Sequence, residues 1–480
     1  MTTLALAPVP AAPAAAPVRS GRLGRYAALR GFAYLWTLAC LACGAVPDLR
    51  LLCSVLAAGG IAAAVVLHVR RSQLGLLAPF TVFMGSGLMY MAPMAFTLLV
   101  GGVLLQDREI RPYALTRAAW ICGWAMLAAW TGYALVRSHA PPVKPFSRFF
   151  STWQPTAAKL VAWGLIFMGG GLLLYLVVAV IGLGTLLQST YGGRYVLLRG
   201  LGPLTSGLSM LTIGGVILYA DDVRRGRTLL SVGMVVTLAL LVLWTGILEM
   251  RGSLVQAAMA FLVVRHVSGR RVRTLTFAVI VVALMGGGIV LSLVRGGGSL
   301  ARLREVPVAV YNPANNEFGS PLGTVSEIVE FIPSRVEYRL GSTYLMVAAN
   351  MVPLVLWPGR PLAPSEWYSA TFYPSYFESG GGFAFSPVAE AYLNFGYAGV
   401  VLVFLLIGGA VAVVERKFEL YDALPPWVGV SYALVVPWLV IFFRLDMTSF
   451  VKSYLLLTLM PMLLVALVAK LLVRMGARGL

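Results

Sequence analysis

Long apolar runs, separated by short polar segments, make up most of this chain. A run of about 20 apolar residues is long enough to cross the ~30 Å hydrocarbon core of a membrane. The runs lack the alternation of apolar and polar residues that barrel strands show, so they are predicted to be helices. Twelve transmembrane helices are predicted, near residues 28–47, 51–69, 74–102, 113–136, 158–187, 203–220, 229–248, 253–267, 274–294, 387–414, 427–443 and 451–473.

The predicted fold is an all-α, polytopic membrane helix bundle with one long loop between the ninth and tenth spans. Within this loop, residues 322–332 have the apolar spacing of an amphipathic helix, which is expected to lie along the membrane surface. Residues 342–357 are apolar but contain Asn350 and Pro353, so an interfacial or re-entrant helix is predicted there. The predicted segments are a disordered cytoplasmic tail (1–25), transmembrane helices 1–9 (26–294), the loop (295–386) and transmembrane helices 10–12 (387–480).

Composition and charge support this organisation and exclude two other classes. The chain is 59% hydrophobic and 11% charged, whereas soluble domains carry about 25% charged residues. A formal net charge of +19 does not indicate nucleic-acid binding, because the basic residues form short clusters between apolar runs. Most of these clusters fall on one side of the membrane, which the positive-inside rule makes cytoplasmic. Both termini are therefore predicted on the cytoplasmic side of the membrane, and loop 295–386 on the opposite side.

The basic residues of the predicted outer side are nearly all arginine, whose planar donor fork fits phosphate and carboxylate oxygens. They can pair with local acids and lipid headgroups, or together they can bind an anionic ligand such as a pyrophosphate. The arginines in question are Arg194, Arg199, Arg251, Arg295, Arg302, Arg304, Arg335, Arg339 and Arg444.

Two short charged motifs lie at predicted outer helix ends. The first is a tight turn with Glu249 and Arg251 between two apolar runs, and an ordinary hairpin with a local ion pair explains it equally well. The second contains Arg444 and Asp446 at the outer end of the eleventh span. Charges at that depth are costly unless they are paired or line a wet cavity, so this motif is either a helix anchor or part of a site.

A third motif is the stretch GGGFAFSPVAEAYLNFG, residues 380–396, at the end of the loop. Its glycines allow a ligand to approach the backbone closely, while Ser386 and Pro387 are suited to cap and open a helix. Glu390 and Asn394, four residues apart with Tyr392 between them, are predicted to project from one face of that helix. A carboxylate at this depth favours a cavity, and pairing with an interhelical arginine is the alternative.

Nine aromatic residues precede and enter this stretch, and they fit either an interfacial belt or stacking against sugar rings. The chain has no Walker A loop, and its histidines (His68, His139 and His266) all fall on the predicted cytoplasmic side. No cofactor and no metal site are therefore predicted. The nine aromatic residues are Trp357, Trp367, Tyr368, Phe372, Tyr373, Tyr376, Phe377, Phe383 and Phe385.

With these motifs together, the chain resembles oligosaccharide repeat-unit polymerases of the Wzy (O-antigen polymerase) type. The resemblance rests on the large loop before the last three helices, the Arg251-Gly252 turn, the stretch GGFAFSPVAEAYLNFGYAGV and the Arg444/Asp446 motif. It implies a GT-C-like glycosyltransferase that transfers a growing glycan from undecaprenyl pyrophosphate to an incoming lipid-linked repeat. It also implies that the protein works with a flippase and a chain-length regulator.

The resemblance gives the candidate residues their roles. The leaving pyrophosphate would be bound by Arg194, Arg251, Arg295, Arg339 and Arg444. Glu390 is the first candidate for the base, with Glu249 and Asp446 behind it, while Asn394 and Tyr392 would contact substrate. Fixed guanidinium groups would make a metal unnecessary.

Two other functions stay open. An O-antigen-ligase-like transferase is one, although such enzymes are associated with a histidine in the large outer loop and this loop has none. A lipid-linked oligosaccharide flippase or other secondary transporter is the second, although the chain shows no convincing internal repeat.

Overall fold

The computed structural model describes residues 20–102, 104, 110–141, 143, 153–189, 191–226, 231–248, 250, 252–268, 312–315, 317–352, 354, 356–421 and 424–479. Every regular element within these ranges is helical, which confirms the all-α prediction for this part of the chain. The helices before the loop are α1 (Ser20–Cys43), α2 (Arg50–Arg71), α3 (Pro79–Met91), α4 (Pro93–Leu99), α5 (Pro112–His139), α6 (Pro155–Tyr175), α7 (Leu183–Gln188), α8 (Tyr191–Leu198), α9 (Gly202–Thr205), α10 (Gly207–Arg224), α11 (Val232–Leu248) and α12 (Gly252–Val267). The remaining helices are α13 (Ser320–Phe331), α14 (Ser342–Met351), α15 (Pro364–Phe372), α16 (Pro374–Glu378), α17 (Pro387–Glu419), α18 (Pro426–Ile441), α19 (Met447–Tyr454) and α20 (Met460–Gly479).

Eight segments of the described chain are long and apolar enough to cross a membrane. A ninth is formed if α3 and α4 are one span bent by 43° at Pro93, a break for which proline is the physical cause. The apolar helices α11 and α12 are shorter than these spans. The chain is therefore a multi-pass membrane protein. The predicted run 274–294 lies outside the described residues, and the count of twelve transmembrane helices stays a prediction.

The described helices pack around two hydrophobic clusters. One is formed by α1 to α5, α13 and most of α17, and the other by α6, α10 to α12, α18 and α20. The backbones of α5 and α17 nearly touch, since a Cβ added to Gly132 or Gly408 would lie 1.9 or 1.8 Å from a carbonyl oxygen of the other helix. Small residues permit such close packing between helices in a membrane, where dispersion rather than hydrophobicity holds helices together.

At its predicted cytoplasmic end, the first cluster is held together by the buried carboxylate of Glu415. The hydroxyl of Tyr133 donates to it at 2.7 Å, the backbone amide of Phe80 donates at 2.8 Å, and a ring nitrogen of His68 lies 2.9 Å away. These partners come from α5, α3 and α2, so a single side chain of α17 joins three helices. The buried carboxylate thus finds its hydrogen-bond partners inside the protein, which is what the interior of a membrane protein requires.

The two loop helices form where the sequence predicts them, and one of them is more buried in the protein than an amphipathic surface helix would be. In α13 all residues from Pro321 to Val329 are buried, including Glu327, so this helix belongs to the protein core, while its predicted position along the membrane surface stays a prediction. Its contacts are with α5, α17 and α3. Helix α14 has ten residues, about 15 Å, which is too short to span and agrees with the predicted non-spanning segment. Helix α1 begins at Ser20, within the predicted tail 1–25, and residues 1–19 lie outside the described chain.

Candidate functional site

The site begins with a break in α17 near its predicted outer end. Ser386 caps the helix by accepting a hydrogen bond from Val388 N, and Pro387 opens it, both as predicted. The backbone leaves helical geometry at Phe395 and Gly396, where Gly396 has φ +63° and ψ −147°. This conformation is strained for residues with a side chain. Residues 387–394 therefore form a separate half-helix two turns long.

The loop segment 339–343 is docked on the broken end of this half-helix. The amides of Arg339 and Leu340 donate to the carbonyls of Leu393 and Asn394, at 2.9 and 3.2 Å. The amide of Gly341 donates to Asn394 Oδ1 at 2.8 Å. A helix end leaves carbonyls without partners, and this loop supplies donors for them. The segment that leads into α14 thus caps the C-terminal end of the half-helix.

Glu390 and Asn394 project from one face of the half-helix, as their spacing predicts, and Thr343 of α14 joins them. The Thr343 hydroxyl donates to Glu390 Oε1 and accepts from Asn394 Nδ2, both at 2.7 Å. The second carboxylate oxygen of Glu390 accepts from Met447 N at 2.6 Å. The Glu390 side chain is completely buried, and no basic residue of the described chain lies within ion-pair distance of it.

Among the described residues, Glu390 therefore neither faces a cavity nor pairs with an arginine. Hydroxyl and amide donors bond both carboxylate oxygens inside the protein, which offsets part of the cost of burial that motivated both alternatives.

Asp446 is also fully buried, and it organises the start of α19. Its Oδ1 accepts from Ser449 N at 2.7 Å, an N-terminal cap, and its Oδ2 accepts from the hydroxyls of Ser365 and Ser449 at 2.6 and 2.8 Å. Because Met447 follows Asp446 and donates to Glu390, the two carboxylates meet at the same helix start. The loop helix α15, which carries Ser365, is attached to this point as well.

Arg444 does not pair with Asp446, the alternative considered for this motif. Its Nη1 lies 2.5 Å from Glu317 Oε2, and both side chains are close to 40% exposed. Arg444 ends the short 3₁₀ turn Phe442–Arg444, two residues before Asp446. A partly exposed guanidinium is thereby paired with Glu317, and its residue lies two positions before the buried Asp446 in the chain.

The other candidate residues in the described chain occupy separate positions. The guanidinium of Arg339 lies 4.9 Å from the ring centre of Trp367, in a cation–π contact. Arg194 lies on α8, where its Nε donates to Ser189 Oγ at 3.3 Å and its Nη1 to Ile247 O at 3.4 Å. Neither of these contacts includes Glu390 or Asp446. Arg251, Glu249 and Arg295 lie outside the described residues.

The glycines before α17 differ in what they approach. Gly380 has φ +84°, and a Cβ there would lie 2.1 Å from the carbonyl oxygen of Gly192. A Cβ on Gly381 would meet the ring of Tyr376, whereas one on Gly382 would meet nothing within 4 Å. Close approach by a ligand was the prediction, but Gly380 serves close approach by the backbone of α8. The contact brings the helix that carries Arg194 to the start of α17.

Most of the loop aromatics form a small core of their own. Tyr368 is completely buried and lies 5.5 to 6.0 Å, between ring centres, from Phe372, Tyr373, Phe383 and Phe385. Tyr368 and Tyr373 both donate their hydroxyls to the buried carboxylate of Glu327. Neither the interfacial belt nor the open sugar platform describes these rings, since they pack against one another. Trp357 and Tyr376, by contrast, are 44% and 41% exposed.

Tyr392 lies on the other side of the half-helix, away from Glu390. It is 1% exposed, and its hydroxyl accepts from Arg117 Nη2 at 3.2 Å. Arg117, on α5, is one of three residues of this region that sequence reasoning missed, together with Thr343 and Glu317. A basic residue within the apolar run 113–136 was a usable signal for Arg117, because such residues mark sites by default. Thr343 and Glu317 carry no such signal.

In the described residues, a helical bundle with many apolar spans and a capped, broken spanning helix defines a polytopic membrane protein with a buried polar site at the start of one span. The family model for O-antigen polysaccharide polymerase Wzy matches residues 156–475, about two thirds of the chain. The chain therefore belongs to this family, which makes it a glycosyltransferase-type polymerase of polysaccharide biosynthesis that uses lipid-linked glycans. Comparison with curated proteins and with solved structures gives no match.

Proposed function

We propose that this protein polymerises undecaprenyl-pyrophosphate-linked oligosaccharide repeat units on the outer side of the bacterial cytoplasmic membrane. The polymer would be an O-antigen, a capsule or an exopolysaccharide. The observation that carries the proposal is that the family match includes both sides of the site: the broken start of α17 and the Arg444–Asp446 helix end. A flippase that delivers the repeat units and a regulator of chain length are the expected partners.

The proposed reaction moves a glycan between two lipid carriers. The bond between the anomeric carbon of the growing glycan and its pyrophosphate breaks, and the hydroxyl of the incoming repeat forms the new glycosidic bond. The hydroxyl proton passes to a base, and undecaprenyl pyrophosphate leaves with the bonding electrons. Stabilising charge on this leaving group and removing the proton are the two tasks that the protein must perform.

Arg444 is the best candidate for the first task in the described chain. Its guanidinium is partly exposed and has donors beyond the one that contacts Glu317, and Arg444 lies two residues before the buried Asp446 in the chain. Arginine binds phosphate oxygens through paired, parallel donors, so it suits a leaving pyrophosphate and needs no metal for this purpose. Arg339, Arg194, Arg251 and Arg295 are proposed to contribute to the same binding.

Glu390 remains our proposal for the base, with a condition that its burial imposes. A base must come within hydrogen-bond reach of the proton that it removes. Thr343 and Met447 occupy both carboxylate oxygens in this structure. An acceptor hydroxyl therefore reaches Glu390 only when α14 moves and Thr343 releases it.

The test uses purified protein in proteoliposomes with a lipid-linked repeat unit, and products are separated by length. Arg444→Ala is expected to abolish extension, whereas Arg111→Ala is expected to retain it. Arg111 is a matched control because it too forms a partly exposed ion pair, with Glu330 at 2.9 Å. Normal extension by Arg444→Ala would refute the proposed role of Arg444.

Glu390→Gln tests, in the same assay, the proposed role of Glu390 as the base. It is expected to bind the lipid-linked substrate without extending it, while the variant protein stays folded and inserted. Full activity of this variant would remove Glu390 from consideration.

A further inference from the structure

Arg117 is a second partly buried arginine, and its surroundings differ from those of Arg444. It lies in the second turn of α5, about 8 Å from the helix start, within a segment that passes as a membrane span. The described chain places no carboxylate within ion-pair distance of its guanidinium. A cation near a membrane without a carboxylate partner is costly unless another anion joins it.

The partners that Arg117 does have are phenol hydroxyls. Its Nε donates to Tyr397 Oη at 2.5 Å and its Nη2 donates to Tyr392 Oη at 3.2 Å. The guanidinium also stands 5.3 Å from the ring centre of Tyr397. These contacts fix the plane of the guanidinium but use only part of its five donors. Its orientation is therefore determined before a ligand arrives.

A second arginine, Arg50, lies on the far side of the aromatic pair formed by Tyr397 and Trp120. Trp120 lies 5.9 Å from Tyr397, between ring centres, and the guanidinium of Arg50 lies 5.3 Å from Trp120. Arg50 donates to the backbone carbonyls of residues 44 and 45. Two guanidiniums thus flank one pair of aromatic rings, and the interactions described for them involve neutral groups.

The surface around Arg117 is suited to lipid. Tyr397 is 40% exposed, and Tyr113, one helical turn before Arg117, is 65% exposed. Partly exposed aromatic rings at the end of a spanning helix are typical of the headgroup level of a membrane. A ligand that meets both this surface and the guanidinium has an apolar chain and an anionic head.

We infer that Arg117, oriented by Tyr392 and Tyr397, forms a binding site for the phosphate group of a membrane lipid. Two lipids carry this group: an anionic phospholipid, and the polyprenyl-linked substrate, which rests on the proposed function. Arg117 lies on the Tyr392 side of the half-helix, whereas Thr343 and Glu390 meet on another side. The site is therefore additional to the arginines proposed for the leaving group.

Native mass spectrometry of the purified full chain tests this inference without any glycan transfer. The probes are undecaprenyl phosphate with undecaprenol as its neutral counterpart, and phosphatidylglycerol with phosphatidylcholine. Arg117→Ala is expected to lower the affinity for undecaprenyl phosphate about tenfold or more, equivalent to about 1.4 kcal/mol. Arg111→Ala, which removes the same charge from the same helix end, is expected to leave that affinity unchanged.

The two lipid pairs distinguish the sources of the phosphate. Loss of undecaprenyl phosphate binding alone supports the substrate lipid, and loss of both anionic lipids supports a general phosphate headgroup. If Arg117→Ala binds both anionic lipids as the wild type does, the inference is overturned. If Arg117→Ala fails to fold, Tyr397→Phe replaces it, because this variant keeps the Arg117 guanidinium and the aromatic ring but removes one orienting hydroxyl. An unchanged affinity of Tyr397→Phe for both anionic lipids overturns the inference equally. Because no polymer is formed in this experiment, its failure leaves the proposed polymerase reaction untouched.

Discussion

Replacing Thr343 by valine tests how α14 is attached to the broken helix. Valine has nearly the shape of threonine but lacks the hydroxyl, which bonds Glu390 and Asn394 at 2.7 Å each. Asn394 keeps its bond to the carbonyl of Glu390, and Glu390 keeps the amide of Met447. The substitution therefore leaves one carboxylate oxygen and one amide hydrogen without this partner in a fully buried place.

Each orphaned buried group costs about 1–3 kcal/mol, but water recovers part of this cost if α14 lifts away. A net destabilisation of the docked state by about 2 kcal/mol follows, and it raises the undocked population about thirtyfold. We expect undocking of α14 rather than loss of the whole fold, because the substitution removes only the Thr343 hydroxyl, and the backbone carbonyl of Thr343 still accepts a hydrogen bond from Thr448 Oγ1.

Hydrogen exchange measured by mass spectrometry reports this undocking directly. The amides of residues 339–341 donate to the half-helix, so they exchange only when the segment detaches. Their exchange is expected to accelerate about thirtyfold in Thr343→Val and to stay near the wild-type rate in Thr343→Ser, which keeps the hydroxyl. Unchanged exchange in Thr343→Val, or equal acceleration in Thr343→Ser, would refute the reasoning.

Two predictions concern the scaffold. Gly408→Val is expected to lower the melting temperature sharply, because a Cβ at this position would lie 1.8 Å from a carbonyl oxygen of α5. Gly164→Val is expected to be tolerated, because a Cβ there meets nothing within 4 Å. Equal melting of the two variants would contradict the close packing of α5 and α17. Tyr133→Phe removes one donor from buried Glu415 and is expected to cost about 1 kcal/mol, while Tyr175→Phe, at a site 57% exposed, costs nothing measurable. Thermal unfolding in detergent compares these two, and a Tyr133→Phe protein as stable as the wild type would refute the importance of this hydrogen bond.

Hydropathy predicts the helices well because membrane spans must satisfy their backbone locally. The predicted run 274–294 lies outside the described residues, and the other eleven runs coincide with helices. The cap at Ser386 and the shared face of Glu390 and Asn394 also follow from local rules, since both depend only on spacing along one helix.

The partners of the polar side chains could not be predicted in this way. Asn394 and Glu390 meet Thr343, which lies in an apolar stretch about fifty residues earlier, and Arg444 meets Glu317 rather than the nearby Asp446. Such pairs are set by tertiary packing, which a hydropathy pattern does not encode. The break at Gly396 was missed for the same reason, because the loop that caps it is distant in sequence.

The most direct test of the central claim is incubation of the purified wild-type protein with an undecaprenyl-pyrophosphate-linked repeat unit, followed by separation of the glycans by length. A polymerase returns each product as a donor for the next transfer, so the account predicts a ladder of products that differ by one repeat. A single transfer to another acceptor would indicate a ligase, and no covalent change would indicate a transporter; either result would contradict the account.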